Sequence, residues 1–272
     1  MRDFRSTKKE LIANLTKCTT NANQEFAFLC ESLIGINKAD LIIKTQISNK
    51  EYGILHRAVK KRLKGVPLQL IIGTSDFLGV EIIESKHTLK PRQETMLMVE
   101  HIINSEDKSK RVLDMCAGSG CIGLALKKAG FKEVVLSDLS AKAINMINKN
   151  ACHNNLNVSV IKSNMFLKIQ TKFDIIVSNP PYIKSKDIKS LQKEVKKYDP
   201  LMALDGGVDG LKFYRIIAEE SPRYLTNNGL LYLEIGQNQE NDVVKLLQNN
   251  FKNITIIKDY NNINRIIRAE KC

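Results

Sequence analysis

One ten-residue segment, residues 173–182, restricts the possible folds of this chain more than any other feature. It reads Phe-Asp-Ile-Ile-Val-Ser-Asn-Pro-Pro-Tyr, so an apolar, β-branched run is followed by two consecutive prolines. The run predicts a strand that is buried on both faces of a parallel sheet. Because proline has no N–H group for a sheet ladder, the strand must end at Asn179. Ligands of open parallel sheets bind beyond the carboxyl ends of the strands, and residues 179–182 would lie there.

The four residues after this strand suit a planar group that carries an NH2. Asn179 offers an acceptor and a donor, Pro180 directs its carbonyl outward, Pro181 adds rigidity, and Tyr182 supplies an aromatic face. Two acceptors can take the two N–H bonds of the group while the ring stacks on its plane, which leaves the nitrogen facing an electrophile. The alternative is an Asn-Pro turn that simply ends a strand, and a cofactor loop upstream would argue against it.

A candidate cofactor loop lies upstream, at residues 114–123. Its small residues allow a ligand to approach the backbone closely at the start of a helix. The spacing Gly118-x-Gly120-x-x-Gly123 matches the dinucleotide fingerprint. A dinucleotide site, however, has its first glycine at the strand end, whereas these glycines begin four residues after Asp114.

Asp138 closes the next predicted strand, where a carboxylate can accept hydrogen bonds from two ribose hydroxyls. NAD sites and S-adenosylmethionine sites share this feature. The segment 179–182 distinguishes them, because methyl transfer to an NH2 group needs such a clamp and hydride transfer does not. We therefore predict S-adenosylmethionine as the cofactor.

The chain as a whole alternates strands and helices from residue 111 onward, which predicts an α/β fold with a mostly parallel, Rossmann-like sheet. The last two strands are close enough in sequence to form a hairpin, so the final strand should be antiparallel. The predicted strands are 111–115, 133–137, 158–162, 173–178, 229–235, 252–258 and 262–269. The predicted helices are 121–129, 140–153, 211–225 and 238–250.

The region before residue 91 has a different pattern and predicts two further parts. Residues 1–66 have helical periodicity and form a helical recognition domain, and residues 67–90 form a β-hairpin linker with strands that include 70–72. Residues 91–272 then form the catalytic domain, whose first helix begins near Pro91.

Composition limits the class of protein. The net charge of +13 is most concentrated near residues 57–64, where a solvated helix face is the alternative to a docking surface. The six cysteines have no metal-ligand spacing, so neither zinc nor disulfides are expected. No signal peptide or membrane span is evident, and we expect a cytoplasmic, monomeric protein with no membrane partner.

Six motifs together resemble the release factor glutamine methyltransferases, the HemK/PrmC family. The matching residues are Gly65-x-Pro67-x-Gln69-x-x-x-Gly73, Phe77-x-Gly79, Pro91-Arg92-x-Glu94-Thr95, Gly118-Ser119-Gly120, Asn179-Pro180-Pro181-Tyr182 and Asp205-Gly-Gly-x-Asp209-Gly-Leu-x-Phe213-Tyr214. The resemblance implies methyl transfer from S-adenosylmethionine to the glutamine amide in the Gly-Gly-Gln loop of class I peptide-chain release factors, and no nucleic acid is required.

The resemblance also implies roles for individual residues. Asn179, Pro180 and Tyr182 would be catalytic, and with Pro181 they would hold the target glutamine. The cofactor would contact Asn179 and seven residues in and after the earlier strands: Cys116, Ala117, Gly118, Ser119, Gly120, Asp138 and Met165. The chain departs from the usual family pattern at Gln93, Met96, Cys116, Asn164 and Asp199.

Two alternatives remain open on the sequence. An adenine-N6 DNA or RNA methyltransferase would use the same clamp on a flipped base, although the chain has no tryptophan and no appended target-recognition region. A non-catalytic ribosome- or RNA-binding relative would have lost the cofactor site, whereas Asp138 and Asn179 are both present.

Overall fold

The computed structural model describes all 272 residues. Two compact units divide the chain: one contains residues 1–74 and 193–198, and the other contains residues 75–192 and 199–272. No helix combines the length and the apolar character that are needed to cross a bilayer.

The secondary structure consists of eleven strands, eleven α-helices and two short 3-10 helices, Asp187–Ser190 and Leu201–Ala203. The strands are β1 (Arg2–Asp3), β2 (Gln46–Ile47), β3 (Thr74–Phe77), β4 (Val80–Ile83), β5 (Arg111–Met115), β6 (Glu133–Asp138), β7 (Ser159–Lys162), β8 (Phe173–Ser178), β9 (Leu225–Glu234), β10 (Phe251–Lys258) and β11 (Asn264–Lys271). The helices are α1 (Phe4–Leu15), α2 (Ala22–Ile34), α3 (Asp40–Ile43), α4 (Asn49–Leu63), α5 (Leu68–Ile72), α6 (Gln93–Ser105), α7 (Cys121–Lys128), α8 (Ala141–His153), α9 (Lys193–Tyr198), α10 (Lys212–Tyr224) and α11 (Glu240–Leu247).

The larger unit is built on a seven-stranded sheet in the order β10-β11-β9-β8-β5-β6-β7. Strands β5 to β9 pair in parallel, and β11 is antiparallel to both β9 and β10. The α/β fold with a mostly parallel sheet and an antiparallel last strand is therefore confirmed. Each of the seven predicted strands is present in it.

Strand β8 is buried on both faces, as its apolar run predicts. Ile175 and Val177 belong to the apolar cluster formed with α6, α7 and α8, whereas Ile176 belongs to the cluster formed with α10 and α11. Alternate side chains thus enter opposite layers, which is why this strand contains no polar alternation. Helices cover both sides of the sheet, so its carboxyl edge remains as the place for a ligand.

The prediction of a strand at residues 70–72 was wrong, because these residues belong to helix α5. Pro67 precedes the helix and Gly73, with a φ of 97°, ends it; the Gly73 N–H donates to the Gln69 carbonyl at 2.7 Å. A short apolar run does not distinguish strand from helix, and the flanking proline and glycine decide the matter here. The hairpin itself follows, as β3 and β4 joined at Leu78 and Gly79, both with positive φ.

The smaller unit has its own apolar core, formed by side chains from α1, α2 and α4 such as Phe4, Leu11 and Phe26. Helix α4 begins with a capping box in which Ser48 and Glu51 each accept a hydrogen bond from the backbone N–H of the other. Arg62 near its end bonds Glu25 of α2 at 2.8 Å and Glu194 of α9 at 3.2 Å. The last turn of α4 exposes a basic surface that includes Lys60 and Lys61.

Candidate active site

The candidate site is a cavity of about 550 Å³ at the carboxyl ends of β5, β6 and β8. Strands β5 and β8 are adjacent and parallel, with Met115 opposite Ser178, so the loops that follow them emerge side by side. The Ser178 hydroxyl donates to the Met115 carbonyl at 2.6 Å and ties the two strand ends together. This pairing brings residues that are more than sixty positions apart to one edge of the sheet.

Most of the predicted site residues line this cavity. The cofactor candidates in its wall are Cys116, Ala117, Gly118, Ser119, Asp138 and Met165, and from the clamp Asn179 and Pro181 join them. Gly120, Pro180 and Tyr182 do not line it, although each adjoins a residue that does. The predicted residues therefore come together in one place, and the three that do not line the cavity are sequence neighbours of residues that do.

The sequence motifs did not predict several other wall residues: Thr95, Cys121, Leu139, Ser163 and Phe213. Leu139 and Ser163 directly follow β6 and β7, so the rule that ligands bind at strand ends would have found them. Thr95 and Phe213 belong to two of the six family motifs, but nothing in the sequence indicated that they face the cavity.

The loop after β5 is folded tightly around left-handed residues. Cys116, Gly118 and Gly120 have φ values of 61°, 57° and 83°. The Ala117 N–H donates to the Ser137 carbonyl at 3.0 Å, and the Gly120 N–H donates to the Ala117 carbonyl at 2.7 Å. A non-glycine residue in this conformation costs roughly 1 kcal/mol or more, so Cys116 stores strain where glycine would not.

Asp138, at the end of β6, connects this loop to the next strand. Its carboxylate accepts from the Gly118 N–H at 2.9 Å and from the Ser140 N–H at 2.8 Å. Burial raises the pKa of Asp138, and the backbone N–H groups of Ser140 and Gly118 oppose this shift. The two bonds fix the orientation of a carboxylate that still has lone pairs available for hydroxyl donors.

Asp114 lies below the loop and is fully buried. One carboxyl oxygen accepts from the Gly123 N–H at 2.9 Å, whereas the other, Oδ1, has no hydrogen-bond partner. Burial raises the pKa of Asp114 to about 8, so its carboxyl group is largely protonated at neutral pH. Asp114 is thus a structural support of the glycine loop and does not line the cavity.

Asn179 is held by side chains from two other elements. Its Nδ2 donates to Thr95 Oγ1 at 3.2 Å, and Thr95 Oγ1 donates to Glu234 Oε2 at 2.6 Å. Thr95 lies in α6 and Glu234 is the last residue of β9. The carboxamide of Asn179 therefore has its donor end engaged, which leaves Oδ1 as an acceptor on the other side.

The clamp is supported from behind at Tyr182. Gln239 Nε2 donates to the Tyr182 carbonyl at 3.0 Å, and Gln239 Oε1 accepts from the Gly236 N–H at 3.0 Å. A Cβ atom on Gly206 would lie 2.7 Å from the Tyr182 Cα, so only glycine fits there. Burial raises the pKa of Tyr182 to about 12, which keeps its hydroxyl protonated.

The residues present fit a nucleoside that carries a cationic sulfonium chain. A fixed carboxylate at Asp138 suits ribose hydroxyls, the backbone of the glycine loop can approach the ligand closely, and apolar side chains such as Met165 and Leu139 suit an adenine ring. The cavity is also large enough for a ligand of that size.

Two family models match the chain. The PrmC N-terminal domain matches residues 9–73, and the Methyltransferase small domain matches residues 90–197. Among solved structures, a methyltransferase from Pyrococcus furiosus is similar with a TM-score of 0.55 and 17% identity, over 71% of this chain and 89% of that one. A 16S rRNA methyltransferase of T. thermophilus in complex with AdoMet and guanosine has a TM-score of 0.53 and 20% identity, over 73% of this chain and 50% of that one. At these identities the likeness concerns the fold alone.

Relatives of known name are more similar in sequence. The release factor glutamine methyltransferase of Thermodesulfovibrio yellowstonii is 36% identical over 94% of this chain and 95% of its own length. That of Agrobacterium fabrum is 36% identical over 88% and 87% of the two chains. That of Fusobacterium nucleatum is 40% identical over 84% of this chain and 66% of its own length. Matches of this identity across almost the whole length establish that the chain belongs to the release factor glutamine methyltransferase family.

Proposed function

We propose that this enzyme transfers the methyl group of S-adenosylmethionine to the side-chain amide nitrogen of the glutamine in the Gly-Gly-Gln loop of class I peptide-chain release factors. The observation that carries the proposal is the position of Asn179. Its carboxamide stands at the end of a buried strand, in the wall of the cavity, with its N–H end already bonded to Thr95.

S-adenosylmethionine supplies a methyl group on a positively charged sulfur, which is the electrophile. Asp138 would accept hydrogen bonds from the ribose hydroxyls, and the backbone of the loop 116–120 would hold the cofactor at close range. Met165 adds an apolar contact to the wall. These assignments rest on the fixed Asp138 carboxylate and on the left-handed turns that keep the loop backbone accessible.

The acceptor amide is a poor nucleophile because its nitrogen lone pair is delocalised. Asn179 Oδ1 and the Pro180 carbonyl accept its two N–H bonds, so that the lone pair points at the methyl carbon. Positioning of this kind can supply roughly 7 to 11 kcal/mol of the barrier reduction. Pro181 keeps the segment rigid. Tyr182 does not line the cavity, and we assign it a place at the outer edge of the clamp, where its half-buried ring can meet the incoming loop.

No general base is needed before transfer, because the proton leaves the methylated nitrogen only after the new bond has formed. The protein therefore contributes orientation and exclusion of water. The Gly-Gly-Gln loop of the release factor must enter the cavity in an extended conformation. Its two glycines have no side chains that would prevent such an entry.

The helical domain, residues 1–66, recognises the release factor, and the methyl transfer takes place in residues 91–272. Residues 67–90 form the linker in the chain between these two parts. The support for a recognition role is the basic exposed surface at the end of α4, which contains Lys60 and Lys61. The enzyme acts as a cytoplasmic monomer, with the release factor as its protein partner.

The test mixes enzyme, S-adenosylmethionine and purified release factor and follows the mass of the Gly-Gly-Gln peptide. We expect the mass of one methyl group to be added, and no addition when that glutamine is replaced by alanine. A release factor that stays unmodified while adenine in DNA or RNA gains the methyl group would contradict the proposal.

A further inference from the structure

We propose that Thr95 and Glu234 are positioning residues that decide which end of the Asn179 carboxamide faces the methyl acceptor. This inference rests on the proposed function, since it concerns how the clamp selects an NH2 group. It gives a role to the buried carboxyl group of Glu234, which takes no part in the methyl-transfer step.

Asn179, Thr95 and Glu234 form a continuous hydrogen-bonded relay. Asn179 directly follows β8 and is half-buried, whereas Thr95 in α6 and Glu234 in β9 are buried. Thr95 and Glu234 are only 3% and 2% exposed. The distances are 3.2 Å from Asn179 Nδ2 to Thr95 Oγ1 and 2.6 Å from Thr95 Oγ1 to Glu234 Oε2. The Tyr214 hydroxyl donates to the Glu234 backbone carbonyl at 2.9 Å and fixes the end of β9. The relay therefore has little freedom to rearrange except by moving protons and turning the amide.

The polarity of the relay follows from counting donors. An ionised carboxylate is only an acceptor, so Glu234 must take the single hydroxyl proton of Thr95. Thr95 Oγ1 can then only accept a bond from Asn179, which must present its NH2 end. Because the two ends of a carboxamide point in opposite directions, Oδ1 then faces the cavity, where it can accept from an NH2 group.

Protonation of Glu234 removes this constraint. A protonated carboxyl can donate to Thr95, and the Thr95 hydroxyl can then donate to Asn179 Oδ1. The carboxamide of Asn179 would turn and present its own NH2 to the NH2 group of the substrate. Two hydrogen-bond donors would then face each other. The clamp would lose one of its two acceptors without any change in packing.

Glu234 changes its protonation state close to neutral pH, so the orientation of Asn179 should depend on pH there. Burial raises its pKa to about 7, and the hydrogen bond from Thr95 opposes the shift. The charged or titratable groups that face it are Arg92 and Glu94 before and in α6, Cys121 in α7, Tyr182 beyond β8, Tyr214 in α10 and Arg265 in β11. Burial keeps Cys121 and Tyr182 neutral below about pH 12, and the pKa of Tyr214 is likewise raised above its ordinary value, so these three groups keep their charge near pH 7.

The kinetic test measures kcat and KM for the release factor, and the Kd of S-adenosylmethionine, between about pH 5.5 and 8.5. In the wild type, kcat should fall as the pH drops through about 7. Thr95→Val, of nearly the same shape, should lower kcat by ~10- to 100-fold, with KM and Kd changed by less than ~3-fold. Thr95→Ser should restore most of kcat, because it restores the hydroxyl.

Glu234→Gln supplies the decisive pH readout. Glutamine can donate or accept at every pH, so kcat should be lower than in the wild type and should no longer depend on pH near 7. A matched control is Thr226→Val, which removes a similar bond from Thr226 Oγ1 to Asp174 Oδ1 at 2.8 Å, at the opposite end of the sheet. The control should lower the melting temperature and leave kcat and its pH profile unchanged.

A second readout does not depend on turnover. The side-chain NH2 signal of Asn179 in 15N NMR, identified by its loss in Asn179→Ala, should shift between pH 6 and pH 8 in the wild type, on either side of a pKa of about 7, and stay constant in Glu234→Gln. An Asn179 signal that does not respond to pH, or full kcat in Thr95→Val, would overturn the inference. A wild-type enzyme that leaves the release factor unmodified would instead count against the proposed function, and the variants would then be compared by the NMR signal alone.

Discussion

Gly206 offers the sharpest test of how the clamp is supported. Its φ lies outside the left-handed region, so the cost of replacing it with alanine arises from space and not from backbone strain. A Cβ at this position would stand 2.7 Å from the Tyr182 Cα, 2.8 Å from the Tyr182 carbonyl carbon and 2.9 Å from the Gly210 oxygen. All three are backbone atoms, so no side chain can turn away to relieve the clash.

The size of the required shift follows from these distances. Ordinary contact begins at 3.4 Å, so the backbones must separate by 3.4 minus 2.7, or 0.7 Å. The Gly206 N–H also donates to the Ile183 carbonyl at 2.8 Å, which links the two segments on either side of the clash. The displacement therefore reaches the peptide that follows Pro181, only a few residues from Asn179.

A shift approaching 1 Å at a reacting centre can cost about 10²-fold in rate. We expect Gly206→Ala to lower kcat by about 10- to 100-fold and to cost roughly 1 to 3 kcal/mol of stability through overpacking. The Kd of S-adenosylmethionine should change by less than ~3-fold, because no residue of the loop 116–120 is involved.

The assay is single-turnover methyl transfer at saturating cofactor, together with calorimetry for the Kd. The matched control is Gly53→Ala in helix α4, where the new Cβ would meet only the Arg57 Nη1 at 3.4 Å. That variant should be as stable as the wild type or more stable by up to ~1 kcal/mol, since alanine favours helices. A folded Gly206→Ala enzyme with wild-type kcat would refute the idea that backbone contact at Tyr182 positions the clamp.

Four further variants test separate parts of the site and of the fold. Asp138→Ala should weaken S-adenosylmethionine binding by about 1 to 3 kcal/mol in calorimetry, and NAD binding more tightly than S-adenosylmethionine would refute the cofactor assignment. Asn179→Ala should lower kcat by about 10² to 10³ with an unchanged melting curve, and wild-type turnover would remove its proposed role. The double variant Lys60→Glu and Lys61→Glu should raise the KM for the release factor by ~3- to 10-fold at low salt, with kcat retained, and an unchanged KM would argue against docking at this surface. Because the folded pKa of Asp114 (about 8) lies above the ordinary value of 3.8, its stabilising contribution is complete below 3.8 and is lost as pH rises to 8. The free energy of unfolding of Asp114→Asn, measured with urea, should therefore rise relative to that of the wild type by roughly 1.4 kcal/mol for each pH unit across that window. If the free energies of unfolding of the two proteins changed in parallel with pH, the raised pKa of Asp114 would be wrong.

The sheet could be predicted because its strands are strongly apolar and regularly spaced. A run such as 173–178, with a proline pair only one residue beyond it, permits few interpretations, and both its burial on two faces and its end at Ser178 agree with the structure. The run at 70–72 was too short to show a period. Its helical state depends on the local chemistry of Pro67 and Gly73, which a pattern of three apolar residues does not contain.

The site could be predicted only where its residues follow strands directly. The loop after β5, Asp138 after β6 and Asn179 after β8 all meet at one edge because parallel strands share a direction. Thr95 and Glu234 have no such signal. Glu234 ends a strand whose apolar pattern predicts burial, and its contact with Thr95 joins residues 139 positions apart. Contacts of this kind depend on how α6 packs on β9, which one sequence does not reveal.

The proposed clamp also gives a physical reason for two prolines after Asn179. An NH2 group that receives the methyl offers only N–H donors, so every polar group of the protein that meets it must be a hydrogen-bond acceptor. The backbone N–H groups of the next two residues would be competing donors at this place, and proline removes both of them. The side chain of Asn179 carries a donor as well, Nδ2, and Thr95 Oγ1 accepts from it at 3.2 Å, which keeps it away from the methyl acceptor. Adenine N6 and a glutamine amide would satisfy such a clamp equally well, so the choice between them has to come from the shape and charge of the path by which each would reach it.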